Sequence, residues 1–518
     1  MKKRHGLILF FLVFVAKELT AQLTFQKNYG THYVDYASKI IQNNNGDFFI
    51  TGVTQGFGAG GNIFLMNMAS DGSIKWVKDF FGVNSDIPYD MISNQDGGFS
   101  LVGSTWSFGT GHSDGIFITT DSLGNVKQTT TYGTAVEYDE LYCIQKISNG
   151  FILGGTARQF TGPAIYRTDS SGNIIWSYLI SPAYFQTLIK SIYQCSDSGL
   201  IILRSASQSY FFSLIKLDQY GNFIWAKDFS TNDGNMSMIA NKMVHTSDNG
   251  FIVTGHTYLN AIGADQDIFL LKTDSAGNPL WFKTYGNTFL EAGEDVIQTS
   301  DKGYAITGST NSYGFGANDA FLLKTDSVGN FEWAKTYGDI WNDKSSSVIQ
   351  SQDGGYALVG YTYLNGVQPD SINILFVKTD SIGNSNCRDT SWFPISQEGV
   401  YYLSNPSYTT TPYGISTNPG VVSSLKTFSE TKFCTQICIR ELYLSIYPNP
   451  NKGIFTINSG DAEIKTLEIF NTLGQIIYSH QISCCTTEID LSQYSSGVYF
   501  IRVMSKEGEI KQGKVVVE

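Results

Sequence analysis

An apolar or aromatic residue placed after a turn recurs at Phe48, Phe99, Phe151, Leu200, Phe251, Tyr304 and Tyr356, at intervals of 51, 52, 49, 51, 53 and 52 residues. Seven equivalent units must pack on one another, so the chain folds as a solenoid or a propeller. One full unit, Asp301 to Gly338, reads DKGYAITGSTNSYGFGANDAFLLKTDSVGNFEWAKTYG. It has short alternating runs, Gly and Asn at the turns and no helical period, which predicts four short strands per unit and a propeller blade.

The two ends of the array are complementary. After KTDSIGN (Lys378 to Asn384) the seventh unit lacks its W-x-K-x-Y-G run, whereas Phe25 to Gly30 read FQKNYG, with Lys27, Tyr29 and Gly30 in register and Phe25 at the Trp position. The expectation is therefore an all-β, seven-bladed β-propeller over residues 22–386 whose last blade takes its outer strand from the N-terminus. A solenoid would need caps and no such complementarity.

The recurrent residues inside the units read as structural. The turn DSxGN, as at Asp274 to Asn278 and Asp326 to Asn330, suits a tight hairpin with Gly at positive φ. The Trp that follows it (Trp76, Trp176, Trp225, Trp281, Trp333, replaced by Gln128 and Cys387) is expected to pack between neighbouring sheets.

Residues 1–21 have a basic start, an apolar stretch from Gly6 to Ala16 and Ala21 before Gln22, the pattern of a signal peptide. That stretch is short for a membrane span, and no later segment approaches the ~20 apolar residues a span needs, so no transmembrane segment is expected. The net charge is −12; residues 1–21 carry four positive charges and one negative, so their removal leaves −15. Such a surface disfavours nucleic acid and anionic membranes as partners. Seven cysteines in an exported chain leave at least one unpaired, and none has zinc spacing. Cys387 is expected to bridge Cys434 or Cys438, stapling the segment after the last blade.

From 387 to 440 the repeat gives way to a Ser/Thr/Pro/Tyr-rich stretch, read as an extended connector with two strands and no large core. Residues 441–518 then show period-two strands in YPNPNKGIFTI, LEIFNTLGQIIY and IDLSQYSSGVYFIRV, which predict a small antiparallel β-sandwich. Through Pro448, Asn449, Pro450 and Gly453, then Leu473, Gly474 and Gln475, then Gly497, Tyr499 and Lys514, this module closely resembles the type A C-terminal sorting domain of Bacteroidetes type IX secretion. The resemblance implies Sec export, recognition of the tail by the type IX machinery, and delivery to the cell surface or beyond. It also implies a surface sortase that cuts between Thr431 and Tyr447. The repeats resemble those of secreted proteins from the same phylum, a likeness that supplies no function.

Candidate function lies in the loops between second and third strands. They carry Trp106, Phe108, Tyr258, Tyr313, Phe315, Tyr361 and Tyr363 among Gly, Asn and Asp, a mixture suited to stacking on sugars and bonding hydroxyls. These seven are the expected ligand-binding residues; the bland reading places each ring back on its own blade. No catalytic residue is assigned. The propeller region holds only Arg158, Arg167 and Arg204, too dispersed for a sialidase-like triad, and its histidines are scattered. Glu291, Glu294 and Asp295, or Asp139 and Glu140, are the acidic pairs a glycosidase would need, although solvated loops or an occasional Ca²⁺ site explain them as well. No cofactor or resident metal is expected. The function read from these features is a noncatalytic binding or adhesion module for a polysaccharide or surface protein, with a carbohydrate-active hydrolase and a structural surface-layer component as alternatives.

Overall fold

The computed structural model describes residues 22–517 apart from 32, 58–59, 81, 110–111, 135–137, 158–161, 182–186, 207–210, 231–236, 259–265, 364–371, 399–400, 413–414, 418–422, 427–428, 439–444, 448, 459–463, 473, 485 and 506–509. The signal peptide expected over 1–21 falls outside the described residues. Among these residues there is no helix, and the chain divides into two compact units, Leu23–Gln436 and Ile437–Glu518.

The first unit is a propeller-like array of small antiparallel sheets, seven in number and five-stranded. The sixth sheet is representative. Its strands Glu291–Gln298, Tyr304–Thr310, Asp319–Thr325 and Phe331–Tyr337 follow one another as an up-and-down meander. DSxGN turns join third to fourth strands: Asp274 Oδ1 accepts the N–H groups of Ala276 (2.9 Å) and Asn278 (2.8 Å), and Asn278 Nδ2 donates to Asp274 Oδ2 (2.7 Å). In the seventh sheet the fourth place is taken by Gln22–Gly30, antiparallel to Ile372–Lys378 with Phe25 opposite Lys378.

The first strands succeed one another in contact. Asp35–Gln42 touches Asp86–Ser93, which touches Glu140–Ile147, and the series continues through Thr187–Gln194, Met238–His245 and Glu291–Gln298 to Asp343–Gln350, which touches Asp35–Gln42.

The fourth strand of the fifth sheet clasps the DSxGN turn of the next sheet with all three side chains of its W-x-K-x-Y run, whereas Phe80, Gln128, Tyr178, Ile180 and Phe229 replace a member of the run in other sheets. A Cβ on Gly329 would lie 2.8 Å from the Trp281 ring, so the indole lies against a position only glycine can fill, and Gly329 also has φ +78°. Lys283 Nζ donates to Asn330 Oδ1 (2.8 Å), and the Tyr285 hydroxyl donates to Gly329 O (2.5 Å). Tyr337 repeats that bond to Gly383 O (2.6 Å), as Tyr132 does to Gly172 O (2.6 Å). The N-terminal strand does the same to the first sheet: Phe25 lies against Gly72, Lys27 Nζ reaches Asp71 O (3.1 Å), and the Tyr29 hydroxyl donates to Gly72 O (2.5 Å). Phe25 thus stands where the other sheets have Trp, and Phe25 and Tyr29 are fully buried.

Residues 387–440 are not the two-stranded connector the composition suggests. They run as a belt past every sheet, adding a fifth strand to each outer edge, antiparallel in the first six sheets, in the reverse of chain order. Thr390–Trp392 pairs with Phe331–Tyr337, Ile395–Glu398 with Pro279–Gly286, Tyr402–Ser404 with Phe223–Ser230, and Thr409–Pro412 with Ile174–Ser181. Ile415–Thr417 then pairs with Val126–Gly133, Ser423–Lys426 with Ile74–Phe80, and Ser429–Cys438 adjoins Gln22–Gly30. Its anchors enter the sheet packing. Trp392 is fully buried against Phe321 (ring centroids 5.7 Å), and Tyr401 packs on Phe282 (5.7 Å). The buried Tyr408 hydroxyl meets the buried Arg204 guanidinium and donates to Asp228 Oδ1 (3.1 Å). Cys387, where the belt begins, is disulfide-bonded, while the side chains of Cys434 and Cys438 are outside those described; Cys143 and Cys195 are free thiols.

The second unit has two antiparallel sheets, one of three strands (Ser445–Tyr447, Ile454–Asn458, Thr486–Asp490) and one of four (Ile476–Cys484, Ile464–Phe470, Gly497–Ser505, Ile510–Val517). Phe455, Ile457, Leu467, Ile489, Ile501 and Val515 belong to its single core.

Tyr29→Phe removes one buried hydrogen bond and leaves a carbonyl short of its donor, so it is expected to cost about 1–3 kcal/mol. Deleting Gln22–Gly30 should cost far more; urea unfolding of the two variants measures the difference, and an unchanged midpoint for the deletion would contradict this role for the strand.

Candidate functional site

Every first strand carries a β-bulge at the same place in its pairing with the second strand. The extra residues are Ser38, Tyr89, Tyr142, Lys190, Asn241, Glu294 and Ser346. A bulge sets two residues of one strand against one of its partner and re-aims a side chain, a device common beside functional sites. All seven bulge residues, with Lys39, Asp90, Lys242 and Asp295, line a polar cavity of about 140 Å³ between the first strands. A wider cavity of about 590 Å³, lined by Lys39, Asp90, Cys143, Ser191, Lys242 and others, lies toward the ends of the same strands. Together they form a candidate ligand channel.

The residue after the bulge also ties adjacent sheets. Asp90 Oδ2 accepts the N–H of Ile144 (3.2 Å), Ser191 Oγ that of Met243 (3.1 Å), and Asp295 Oδ2 that of Val348 (3.2 Å). Asp295 further accepts from Ser347 Oγ (2.9 Å) and pairs with Lys39 Nζ (3.2 Å), joining the first, sixth and seventh sheets. Burial pushes its carboxyl upward, but Lys39, Lys242 and these hydrogen bonds prevail and hold it below the usual carboxylate value. Burial works against the charge on Lys242, yet Asp90 and Asp295 keep its pKa above the ordinary value.

Nearby, Glu294 pairs with Lys344 (2.6 Å). The rings of Tyr89 and Tyr142 lie 4.4 Å apart, and the Tyr142 hydroxyl bonds Glu140, whose carboxyl burial pushes up. Lys190 Nζ lies 5.6 Å from the Tyr142 ring centroid, and burial pulls its pKa down. Burial also drives His256 down to about 4, so it is neutral at physiological pH.

The acidic pairs expected from sequence separate into two kinds. Glu291 and Asp139 are buried at strand starts and close the preceding loops: Glu291 accepts the Asn287 N–H (3.0 Å) and the Thr310 hydroxyl (3.0 Å), and Asp139 accepts the Thr134 N–H (2.9 Å). Glu140, Glu294 and Asp295 belong to the channel network. Among the described residues no group of three or more His, Cys, Asp or Glu side chains is arranged to hold a metal ion.

The loop aromatics have separate surroundings. Trp106 is 45% exposed and meets Tyr138 edge-on (5.6 Å), and Phe315 is 55% exposed. Phe108 packs into the core shared by the first two sheets. Tyr313 lies against the belt residue Trp392 (5.4 Å), with its hydroxyl bonded by Asn287. Tyr361 and Tyr363 face each other at 5.9 Å, with Lys344 and Glu294 near Tyr361. The Tyr258 side chain is outside those described. The bulge ring was not foreseen, because one inserted residue leaves no mark on a period-two pattern. Comparison of the seven units in register, which sets Lys190, Glu294 and Tyr142 at one position, is the signal that could have found it.

In the C-terminal unit the motif residues build the fold. Asn449 Nδ2 donates to Lys514 O (2.8 Å) and its Oδ1 accepts from Val516 N–H (2.9 Å), tying the opening motif to the last strand; the Asn449–Pro450 bond is cis. Gly453 and Gly474 have φ of +97° and +77° at turns, and the buried Tyr499 donates to Ser495 O (2.5 Å), two residues before Gly497. Pro448 and Leu473 lie outside the described residues.

Residues 445–518 match the secretion system C-terminal sorting domain family. The tail is a type IX sorting domain, and the chain that carries it is a cargo sent to the cell surface or beyond. Among curated proteins, the chain is 31% identical over 75 residues to the ulvan lyase NLR42 of Nonlabens ulvanivorans, and 28% identical over 137 residues to the regulatory protein FlaEY of Caulobacter vibrioides. These alignments cover 14% and 24% of the chain, and it spans 14% of the length of each relative. Among solved structures it is similar to PorZ, a surface component of the type IX secretion system of Porphyromonas gingivalis. The identity is 13% and the TM-score 0.42, over 93% of this chain and 59% of that one.

Lys39→Met leaves Asp295 short of its closest cation, so a loss of about 3–5 kcal/mol is expected at neutral pH. Because the folded Asp295 pKa is depressed, its contribution is full above the unfolded value near 3.8 and disappears as pH falls through the lower folded value. The difference between the two proteins in urea should therefore narrow below about pH 4. Removal of residues 445–518 should leave cargo in the periplasm; cell fractionation with protease shaving reads this, and normal surface display would contradict the sorting role.

Proposed function

We propose that the protein is a secreted, surface-displayed seven-bladed β-propeller that binds a polysaccharide or surface protein at its central channel and the loop face around it, without catalysis. Ring closure by the N-terminal strand is supported by the Tyr29–Gly72 clasp and by contact between Asp35–Gln42 and Asp343–Gln350. Removal of residues 1–21 as a signal peptide accords with the type IX route. The observation that carries the binding reading is the bulge in all seven first strands, which directs seven side chains of differing chemistry into one cavity. A purely structural ring has no need of Lys190, Tyr142 and Glu294 at equivalent positions. The exposed loop residues Trp106 and Phe315 would extend contact around the mouth, and type IX machinery and a surface sortase are the partners in transit.

A hydrolytic reading has one observation in its favour: the carboxyl of Glu140, raised by burial and bonded to Tyr142, is a candidate proton donor. Asp295, Glu294 and Asp90 are already engaged by Lys39, Lys344 and backbone N–H groups, which argues against a second, free carboxylate.

The test is an oligosaccharide array probed with chain 22–518, a channel variant (Glu294→Gln/Lys344→Met) and a loop variant (Trp106→Ala/Phe315→Ala). Binding should fall at least ~10-fold in the channel variant, about 1.4 kcal/mol, and less in the loop variant. Absence of binding by the folded protein to sugars and to extracted surface proteins would overturn the reading. Release of new reducing ends, abolished by Glu140→Gln, would overturn its noncatalytic part.

A further inference from the structure

Four lysines belong to the channel network, and they share three carboxylates, Asp90, Glu294 and Asp295. Lys39 pairs with Asp295, Lys344 with Glu294, and Lys242 is held charged by Asp90 and Asp295. Lys190, on the bulge of the fourth sheet, has no ion pair and no hydrogen bond among the described residues; it lies over the Tyr142 ring, and the carboxylate whose charge acts on it, Glu294, is already paired with Lys344. Its side chain nevertheless lines the 140 Å³ cavity.

We infer that Lys190 anchors a binding site for a small organic monocarboxylate, of the size of a sugar acid, in the narrow part of the channel. The inference rests on the proposed reading of the channel as a ligand site and names its ligand class. An ammonium group removed from bulk water that shares Glu294 with Lys344 is under-compensated, so the site gains from a ligand that supplies a further negative charge. The charge balance sets how much. Four lysines face the carboxylates Asp90, Glu294 and Asp295; Glu140 does not line the cavity and is bonded by the Tyr142 hydroxyl. The surplus is a single positive charge, which suits a monoanion. Size sets the remainder: water occupies about 30 Å³, so the cavity holds roughly four or five waters, or one compact acid. The Asn241 and Ser346 side chains on the same cavity wall offer polar partners for hydroxyls.

Galacturonate, galactose and sulfate are the probes, titrated by calorimetry into the full chain and into Lys190→Met and Lys190→Gln. Galacturonate should bind at least ~10-fold more tightly than galactose, and both variants should lose that margin, a change of about 1.4 kcal/mol or more. Equal affinity for the acid and the neutral sugar, retention of the preference by the variants, or tighter binding of sulfate would overturn the inference. If neither variant folds, protection of native Lys190 from an amine-acylating reagent by galacturonate, read by peptide mass spectrometry, decides; absence of protection overturns it. Failure of this site is distinct from failure of the channel reading. Galactose and galacturonate bound alike and both lost in Glu294→Gln/Lys344→Met would remove the anion site and leave the channel. Binding unaffected by that channel variant would remove both.

Discussion

The clasp between each fourth strand and the DSxGN turn of the following sheet is the interaction on which the rest depends. Four-stranded sheets this short have little stability alone, and they stand because neighbours bury their faces. The clasp makes that burial specific. In its full form, as at Trp281, Lys283 and Tyr285, an aromatic ring lies on a glycine, a lysine reaches the turn, and a tyrosine hydroxyl satisfies the glycine carbonyl, so three side chains of one motif read one turn; other sheets keep part of the set. Repetition makes the energy additive only if no sheet is left without a neighbour. FQKNYG matters more than its length suggests for this reason: Phe25, Lys27 and Tyr29 give the first sheet the contacts that Trp281, Lys283 and Tyr285 give the sixth.

Fourth strands leave outer edges, and unpaired edges invite association with other chains. The belt answers that hazard with three- and four-residue strands over most sheets, too short to fold alone but sufficient to occupy an edge. It holds through Trp392, Tyr401 and Tyr408, which enter the packing between outer strands. The belt also bears on processing. Its last strand, Ser429–Cys438, overlaps the interval in which the sortase was expected to cut. A cut within that strand would strip the edge of the seventh sheet, whereas a cut after Cys438 leaves all seven edges covered.

What could be read from sequence follows from how far each constraint extends along the chain. The DSxGN turn is local: Asp274, Gly277 and Asn278 satisfy one another, so composition and spacing reveal it. Trp281 and Phe25 were legible because a repeat converts a long-range contact into a recurring residue. The belt was not, because its partners lie up to 400 or so residues away and all but the last of its strands are only three or four residues long. Arg204 was legible only as one of three dispersed arginines, and the structure sets it against Tyr408. The loop aromatics were legible as residues but not as a site, since Tyr313 is committed to Trp392 and Phe108 to a core.

The same bulge that escaped the sequence pattern gives the channel both its variety and its order. At the bulge itself the side chain does not enter the regular ladder, so seven units that agree elsewhere can carry Ser, Tyr, Lys, Asn or Glu there. One position later the side chain reaches the next sheet, and Asp90, Ser191 and Asp295 all accept a backbone N–H across that boundary. The variable layer therefore rests directly on a structural one. Asp295 shows why the two cannot be wholly separated: it holds Val348 in place and also sets the charge that Lys39 and Lys242 present to the cavity. A substitution there would alter the packing of sheets and the field in the channel together, whereas Lys190, at the bulge and outside the inter-sheet bonds, can change the field alone.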